Sequence, residues 1–345
     1  MSRPESKSKR HYAQGINTPT KALLRELKEA EPKPLPKFVE PLFPMLRERP
    51  PPGDNWVHEI KFDGYRFQIR LWHHTAQLLT RRGHDWTKKA RNIAAAASSL
   101  TTDSALIDGE AVVMAEDGTT DFNELERELG KGDSSRIIFH AFDVLYLHGH
   151  DLRRVPLLDR KRLLQLLLAV LSEDSPIKYS EHLEGDALSM KLQACELGLE
   201  GVVSKLKDSR YVAGHSDLWT KTPCRKRETY AIVGYALKGR KFDGFYLGEE
   251  RGGRLEYAGK IESGWTEKEK LALLSEVKAL PVKRSPLSTK VEKPKARWTE
   301  PRVLVDVEYR AKTKKSGLLR HPSFKGVRRD LMERMKKPAK RKRAA

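Results

Sequence analysis

The chain has 345 residues, with 67 Lys and Arg against 47 Asp and Glu, and so a formal net charge of +20. That length suggests about two domains, and an apolar fraction of 38% with 6 Trp, 10 Tyr and 10 Phe excludes wholesale disorder. Two cysteines, Cys195 and Cys224, exclude a disulfide framework, and the lack of any CxxC pair excludes the common zinc sites.

Residues 1–35 carry eight basic and four acidic side chains and one short amphipathic piece, Lys21–Glu29. They read as a mostly disordered basic arm ending in the Pro-rich stretch Glu31–Pro36, with no apolar segment of the signal-peptide type. Removing this arm is expected to leave activity intact. After a second Pro-rich break, Arg49–Gly53, the pattern turns β-like. Tyr65, Phe67, Ile69 and Leu71 alternate with Arg66, Gln68 and Arg70, the period of a half-buried strand. Further strands are expected at Ala76–Thr80, Ser104–Met114, Ile137–Leu147 and Gly201–Ser204, and helices at Thr87–Leu100, Leu157–Leu171 and Asp186–Leu197. The longest apolar run, Leu163–Leu171, is interrupted by Gln165 and falls short of the ~18 residues a membrane span needs. Strands in runs with interspersed helices predict an α+β domain with antiparallel sheets over 36–225.

Arg225-Lys226-Arg227 reads as a hinge. Short strands at Thr229–Leu237, Gly244–Glu249, Arg254–Ile261 and Arg302–Arg310 then predict a small β-barrel over 226–331. Lys283–Lys295 reads as an exposed loop, and residues 332–345 as a basic tail whose cluster Lys336–Arg343 can pair with phosphates. With the basic excess of both ends removed, residues 36–330 still carry a formal +10. A basic body points to a polyanionic partner, nucleic acid before membrane. No transmembrane or secretory signal is present, which predicts a soluble protein of a reducing compartment.

The segment richest in chemistry is His58-Glu59-Ile60-Lys61-Phe62-Asp63-Gly64-Tyr65-Arg66. Turn chemistry accounts for Asp63-Gly64, but not for a Lys closing an otherwise apolar strand. A Lys held there near other cations and partly desolvated is made available as a neutral, nucleophilic amine. Four more segments follow in order: Thr80-Arg81-Arg82-Gly83, the strand Leu106-Ile107-Asp108-Gly109-Glu110-Ala111, Phe139-His140-Ala141-Phe142-Asp143, and Glu200-Gly201-Val202-Val203-Ser204-Lys205 with Trp219-Thr220-Lys221. Their order and spacing resemble the nucleotidyltransferase motifs of ATP-dependent DNA ligases, and among these the ligase domain of bacterial end-joining (LigD-type) enzymes, over about residues 36–331.

The resemblance implies an adenylating domain followed by an all-β oligonucleotide-binding barrel. It implies that Lys61 attacks the α-phosphate of ATP and carries AMP, that Glu59 faces the adenine amino group, and that Arg66 and Arg81 lie near ribose and the 5′-phosphate of the nick. Glu110 would hold ribose or the catalytic metal, Glu200 the metal, Phe139 would stack on adenine with Phe142 turned into the core, and Lys221 would contact the α-phosphate region. Two carboxylates near a triphosphate call for a cation between them, Mg²⁺ or Mn²⁺. The stretch Leu319–Leu331, with Arg320, Arg328 and Asp330, resembles the family's last motif, which orients pyrophosphate and then swings away.

The implied activity is sealing of 5′-phosphate/3′-hydroxyl nicks or breaks in duplex DNA during end joining, by a free-standing, monomeric bacterial enzyme of the cytoplasm and nucleoid. A Ku-type end-binding protein and a separate repair polymerase are the implied partners. Two positions depart from the family pattern: Pro223, where a second Lys is usual, and Leu331, where a basic residue is usual. Both predict poor use of fresh ATP and an enzyme isolated largely pre-adenylated. An RNA ligase or capping-type nucleotidyltransferase is the alternative within the superfamily, and a decayed DNA-binding module the alternative outside it. The 11 histidines form no HxxxH or HExxH spacing, so no histidine metal site is expected.

Overall fold

The structure, a computed structural model, describes residues 19–239, 241–289, 291, 296–313 and 316–336. It divides into two compact units, one ending at Pro223 and the other beginning at Cys224.

The first unit opens with α1 (Pro19–Glu26) and β1 (Glu31–Pro32), followed by β2 (Leu42–Leu46), β3 (Trp56–Ile60), β4 (Tyr65–Trp72) and β5 (Thr75–Thr80). Next come α2 (Arg91–Ser98), β6 (Ser104–Val113), α3 (Phe122–Lys131), β7 (Ile137–Leu147), β8 (His150–Asp151) and α4 (Leu157–Leu168). β9 (Ile177–Tyr179), α5 (Ala187–Glu196), β10 (Gly201–Leu206) and β11 (Gly214–Pro223) complete it. The larger sheet runs β1-β8-β7-β6-β4-β5, with β9 added parallel to β7; the smaller runs β2-β11-β10-β3. Most pairings are antiparallel as expected, but β7–β9 and β11–β2 are parallel.

The alternation read in β4 sends Phe67, Ile69 and Leu71 into the main core, where they meet Ile93 and Ala97 of α2 and Leu163, Leu164 and Leu167 of α4. A second apolar cluster, built on Leu42, Val57, Leu106, Leu145 and Trp219, draws on strands of both sheets. One expectation is corrected here. Residues 19–35 are no disordered arm: Leu24 of α1 is buried in the main core, Thr20 bonds His148, and Tyr146 donates its hydroxyl hydrogen to the carbonyl of Lys33. The mixed charge hid a helix whose one strongly apolar face needs the rest of the unit to cover it. Deleting residues 1–30 therefore exposes core. It is expected to lower the melting temperature by about 3–12 °C, the equivalent of one fully buried leucine, measured by calorimetry. Residues 1–18 lie outside the described residues.

The second unit is a five-stranded antiparallel sheet in the order β14-β13-β12-β15-β18, formed by β12 (Lys226–Lys238), β13 (Lys241–Arg251), β14 (Arg254–Ile261), β15 (Arg297–Tyr309) and β18 (Ser323–Val327). The short pair β16 (Ala311–Lys312) and β17 (Leu319–Arg320) stands beside it. Tyr230, Ile232, Phe245, Leu247, Val303 and Val305 form its core with Leu273 and Val277 of α6 (Glu267–Lys278). That helix was not expected, although Thr266 and Glu269 make a full capping box at its start. α7 (Arg329–Lys336) follows the last strand. The tail residues 337–345, and most of the phosphate-pairing cluster with them, lie outside the described residues, as do 290 and 292–295 of the loop expected at Lys283–Lys295. Among the described residues no helix is long and apolar enough to cross a membrane.

Candidate active site

A cleft of about 580 Å³ opens in the first unit, a volume suited to a nucleotide-sized ligand. Both sheets line it: Glu59, Lys61, Arg66, Arg81, Glu110 and Lys221 are all on its wall, so six side chains from four separate sequence segments converge.

Lys61 stands just past the end of β3, where its backbone N–H donates to the carbonyl of Gly201 at 2.9 Å. That bond places it next to Glu200, and the Lys61 ammonium forms an ion pair with the Glu200 carboxylate. The side chain keeps 23% of its surface exposed, so the amine is reachable from the cleft. Lys221 reaches the same wall from β11, paired in register with Val203. Burial lowers its pKa, and the nearby Lys61 and Arg81 charges push the same way. Gly64 is there for space and not only for a turn: a Cβ at this position would sit 2.0 Å from the carbonyl oxygen of Ala111.

Arg66 and Glu110 face each other directly across β4 and β6. Arg66 is pinned by a two-pronged bond to Asp108 (3.0 and 2.6 Å), by the Leu42 carbonyl and by the Tyr211 hydroxyl. Its pKa is raised: burial opposes the charge, and Asp108 with Tyr211 overcomes it. Glu110 moves the other way for a carboxyl, pushed up to about 8 by burial and by the like charge of Glu200, with Lys61 and Arg66 opposing. A carboxyl whose pKa is higher folded than unfolded contributes stability in its protonated form. That contribution is complete below about pH 4.5 and is lost as the pH rises through 8. Melting temperatures of the free protein from pH 6 to 9 should therefore fall more steeply for the native chain than for Glu110→Gln.

Two residues sit elsewhere than the sequence suggested. Phe139 is fully buried in the main core, its ring over Gly109, where a Cβ would come within 2.3 Å of it. It cannot stack on a base in the cleft. Phe142 takes the cleft wall instead, beneath the guanidinium of Arg66 at 5.2 Å. Alternation accounts for this: Phe139 shares the main-core face with Ile137 and Ala141, and Phe142 falls on the other face, at a β-bulge where Asp108 pairs with Asp143 and Gly109 with Ala141 and Phe142 is skipped in the register. Glu59 does lie at the cleft floor, but only 2% exposed and bonded to two lysines the sequence reading did not assign, Lys161 and Lys205. Lys161 was legible only as one more charge in the Lys/Arg-rich start of α4.

Comparison with known proteins places this geometry. The model of the ATP dependent DNA ligase domain matches residues 43–222, and that of the ATP dependent DNA ligase C terminal region matches 238–331. The chain belongs to the ATP-dependent DNA ligases. It is 37% identical over 325 residues to the multifunctional non-homologous end joining protein LigD of Pseudomonas aeruginosa, covering 91% of this chain and 38% of that protein. LigD of Mycolicibacterium smegmatis is 31% identical over 283 residues, covering 80% and 36%. The chain thus spans well under half the length of these curated relatives. Among solved structures, mycobacterial DNA ligase D complexed with ATP and MES matches at 27% identity and a TM-score of 0.52, covering 84% of this chain and 95% of that one. The first unit is accordingly the nucleotidyltransferase domain of the ligase fold, and the second its oligonucleotide-binding barrel.

The remaining residues singled out in this ligase lie in the barrel. Arg328 makes two bonds to Asp330 (2.9 and 2.8 Å) and one to Asp306. Asp330 is held down at about 2 by Arg328, and Arg320 closes β17. For a metal, no group of three or more His, Cys, Asp and Glu side chains converges among the described residues. Glu110 and Glu200 do form a two-carboxylate set, near enough to act on one another, with the Lys61 ammonium paired to Glu200. That set fits Mg²⁺ or Mn²⁺, which take one or two protein carboxylates and complete their shell with substrate phosphate oxygens and water.

Proposed function

We propose that this ligase seals 5′-phosphate/3′-hydroxyl nicks or breaks in duplex DNA, in bacterial end joining, through a lysyl-AMP intermediate on Lys61. The observation that carries the reading is the Lys61 amine at the cleft wall, beside Glu200 and Glu110 and within the field of Lys221. In the first transfer the Lys61 nitrogen, having lost its proton, bonds to the α-phosphorus of ATP as the bond to the β-phosphate oxygen breaks and pyrophosphate leaves. In the second, an oxygen of the nick 5′-phosphate attacks that phosphorus and the P–N bond breaks. In the third, the 3′-hydroxyl attacks the activated 5′-phosphate and AMP departs. Positioning and charge stabilisation supply most of the acceleration in transfers of this kind.

Each side chain then has a task. Glu200 orients the Lys61 amine, Lys221 bears on the α-phosphate, Arg66 is prepositioned by Asp108 for ribose, and Arg81 meets the 5′-phosphate. Phe142, not Phe139, offers the ring face for the base. Glu110 and Glu200 would hold the divalent cation, which supplies neutralisation of the triphosphate charge when bound. Arg320, Arg328 and Asp330 serve the departure of pyrophosphate. A basic body binds DNA with an affinity that falls as salt rises. A Ku-type end-binding protein and a separate polymerase are the partners this role calls for.

Incubation with α-labelled ATP and Mg²⁺, followed by denaturing electrophoresis and a chase with nicked DNA, tests the reading. Label should become covalently bound to protein and pass to DNA. A protein that never takes label is an inert DNA-binding module, and label passing only to nicked RNA assigns an RNA ligase.

A further inference from the structure

Four large apolar side chains stand in water between positions 183 and 197. Leu183, Leu188, Leu192 and Leu197 are from 47% to 68% exposed. They belong to α5 and the turns at its two ends. The helix rests on β10 and β3, and its buried residues are two alanines, Ala187 and Ala194. Seven residues apart, these mark one narrow seam. A surface helix ordinarily turns its large apolar residues inward and its polar ones outward. α5 does the reverse. Leu188 and Leu192, four apart and so neighbours on the helix, lie outside the seam.

The charge around these leucines also runs against that of the chain. Over residues 181–197 the carboxylates of Glu181, Glu184, Asp186 and Glu196 outnumber the single lysine, Lys191, in a protein of formal charge +20. All four acidic residues are exposed. Lys191 donates to the carbonyl of Glu48 at 2.9 Å, and Glu184 is paired with Lys207. Asp186 caps the start of α5 by accepting from the Leu188 N–H. At the other end Glu196 sits in a last turn that holds no basic residue, against the helix dipole. A cation brought there from outside would relieve that repulsion. A single exposed leucine needs no explanation, but a row of them rimmed with acid does.

Of the occupants that could cover this face, DNA is repelled by the carboxylates. A second copy in a two-fold arrangement would set the acidic rim against itself. A helix with an apolar stripe flanked by Lys or Arg meets both features, since its stripe packs on the leucines and its cations pair with the rim. We propose that the exposed face of α5 docks a basic amphipathic helix of another protein. No residue of α5 lines the cleft, so this inference is independent of the reading of the cleft.

The test uses the intact chain and, as probe, a synthetic helix of about fifteen residues with leucine at i, i+3, i+4 and i+7 and lysine elsewhere. At low salt, fluorescence anisotropy should give a dissociation constant on the order of 10 μM, and the probe should protect the amides of 183–197 from hydrogen exchange. A counterpart with glutamate in place of lysine should not bind. Leu188→Gln with Leu192→Gln should weaken the probe at least about tenfold and leave nick sealing unchanged. Glu181→Gln with Glu196→Gln should weaken it about tenfold at low salt and flatten its salt dependence. Both pairs put helix-compatible glutamine at exposed positions, so the fold should hold, as melting curves would show. The inference is overturned if the native chain fails to bind the lysine probe or binds the glutamate probe equally well. It is overturned, too, if the leucine pair variant keeps the native affinity. A dimer in sedimentation that the leucine pair variant disperses would assign the face to a second copy and overturn it as well.

Discussion

Replacing Lys61 by alanine is expected to abolish covalent AMP and lower multiple-turnover nick sealing by at least about 10³-fold, as loss of a nucleophile does elsewhere. The fold should hold. Lys61 lies outside β3, is partly exposed, and pairs with Glu200. A pair of that exposure contributes about 0–1 kcal/mol, so melting temperatures should differ by only a few degrees. The last transfer needs no amine at position 61, so a nick supplied already adenylated should still be sealed. This contrast separates a missing nucleophile from a damaged cleft. Undiminished sealing from ATP by Lys61→Ala would refute the covalent mechanism outright.

Arg160→Met should produce the largest loss of stability, about 3–5 kcal/mol. Arg160 and Asp143 are both without solvent exposure and share two bonds of 2.8 Å. Arg160 also donates to the carbonyls of Val155 and Ser209, and so ties α4 to β7 and to the segment after β10. Removing the guanidinium strands a buried carboxylate and two carbonyls. A loss of that size is a large part of the ~5–15 kcal/mol that holds a typical domain together. Equilibrium denaturation should show it. The double change Arg160→Met with Asp143→Leu should recover part of the loss, because no charge is then left buried alone. Asp143 adjoins Phe142 on the bulge, so the single variant should also weaken nucleotide binding. The exposed pair of Arg127 and Glu124 should show almost no effect when broken.

Much of this arrangement was legible in the residues. β4 was readable because its alternation of apolar and polar side chains is strict, and β7 because Ile137–Leu147 is a long β-rich run. The cleft residues Lys61, Glu110 and Lys221, and Glu200 paired to Lys61, were readable because an ordered set of motifs constrains all of them at once. Helix α6 was not, being rich in charge, and of α1 only a short amphipathic piece, Lys21–Glu29, was legible; the apolar stripe of each acquires meaning only against a core. α3 was missed for the same reason, with Leu125 and Leu129 its buried leucines.

The choice between Phe139 and Phe142 shows where local pattern stops. Residues three apart on a strand fall on opposite faces, and nothing local says which face is the core. A missing Cβ at Gly109, on a neighbouring strand, makes room for the Phe139 ring, so the core takes that face and alternation leaves Phe142 on the other. The clamp on Glu59 is of the same kind, assembled from β3, α4 and β10 across more than 100 residues. Sequence alone determined the family and the order of the two domains, and singled out Lys61 for the proposed role of nucleophile, since these depend on residue types at fixed short spacings. Tertiary structure alone decided which ring lines the cleft and which cations hold Glu59. Both depend on burial, which is a property of surfaces brought together from distant parts of the chain.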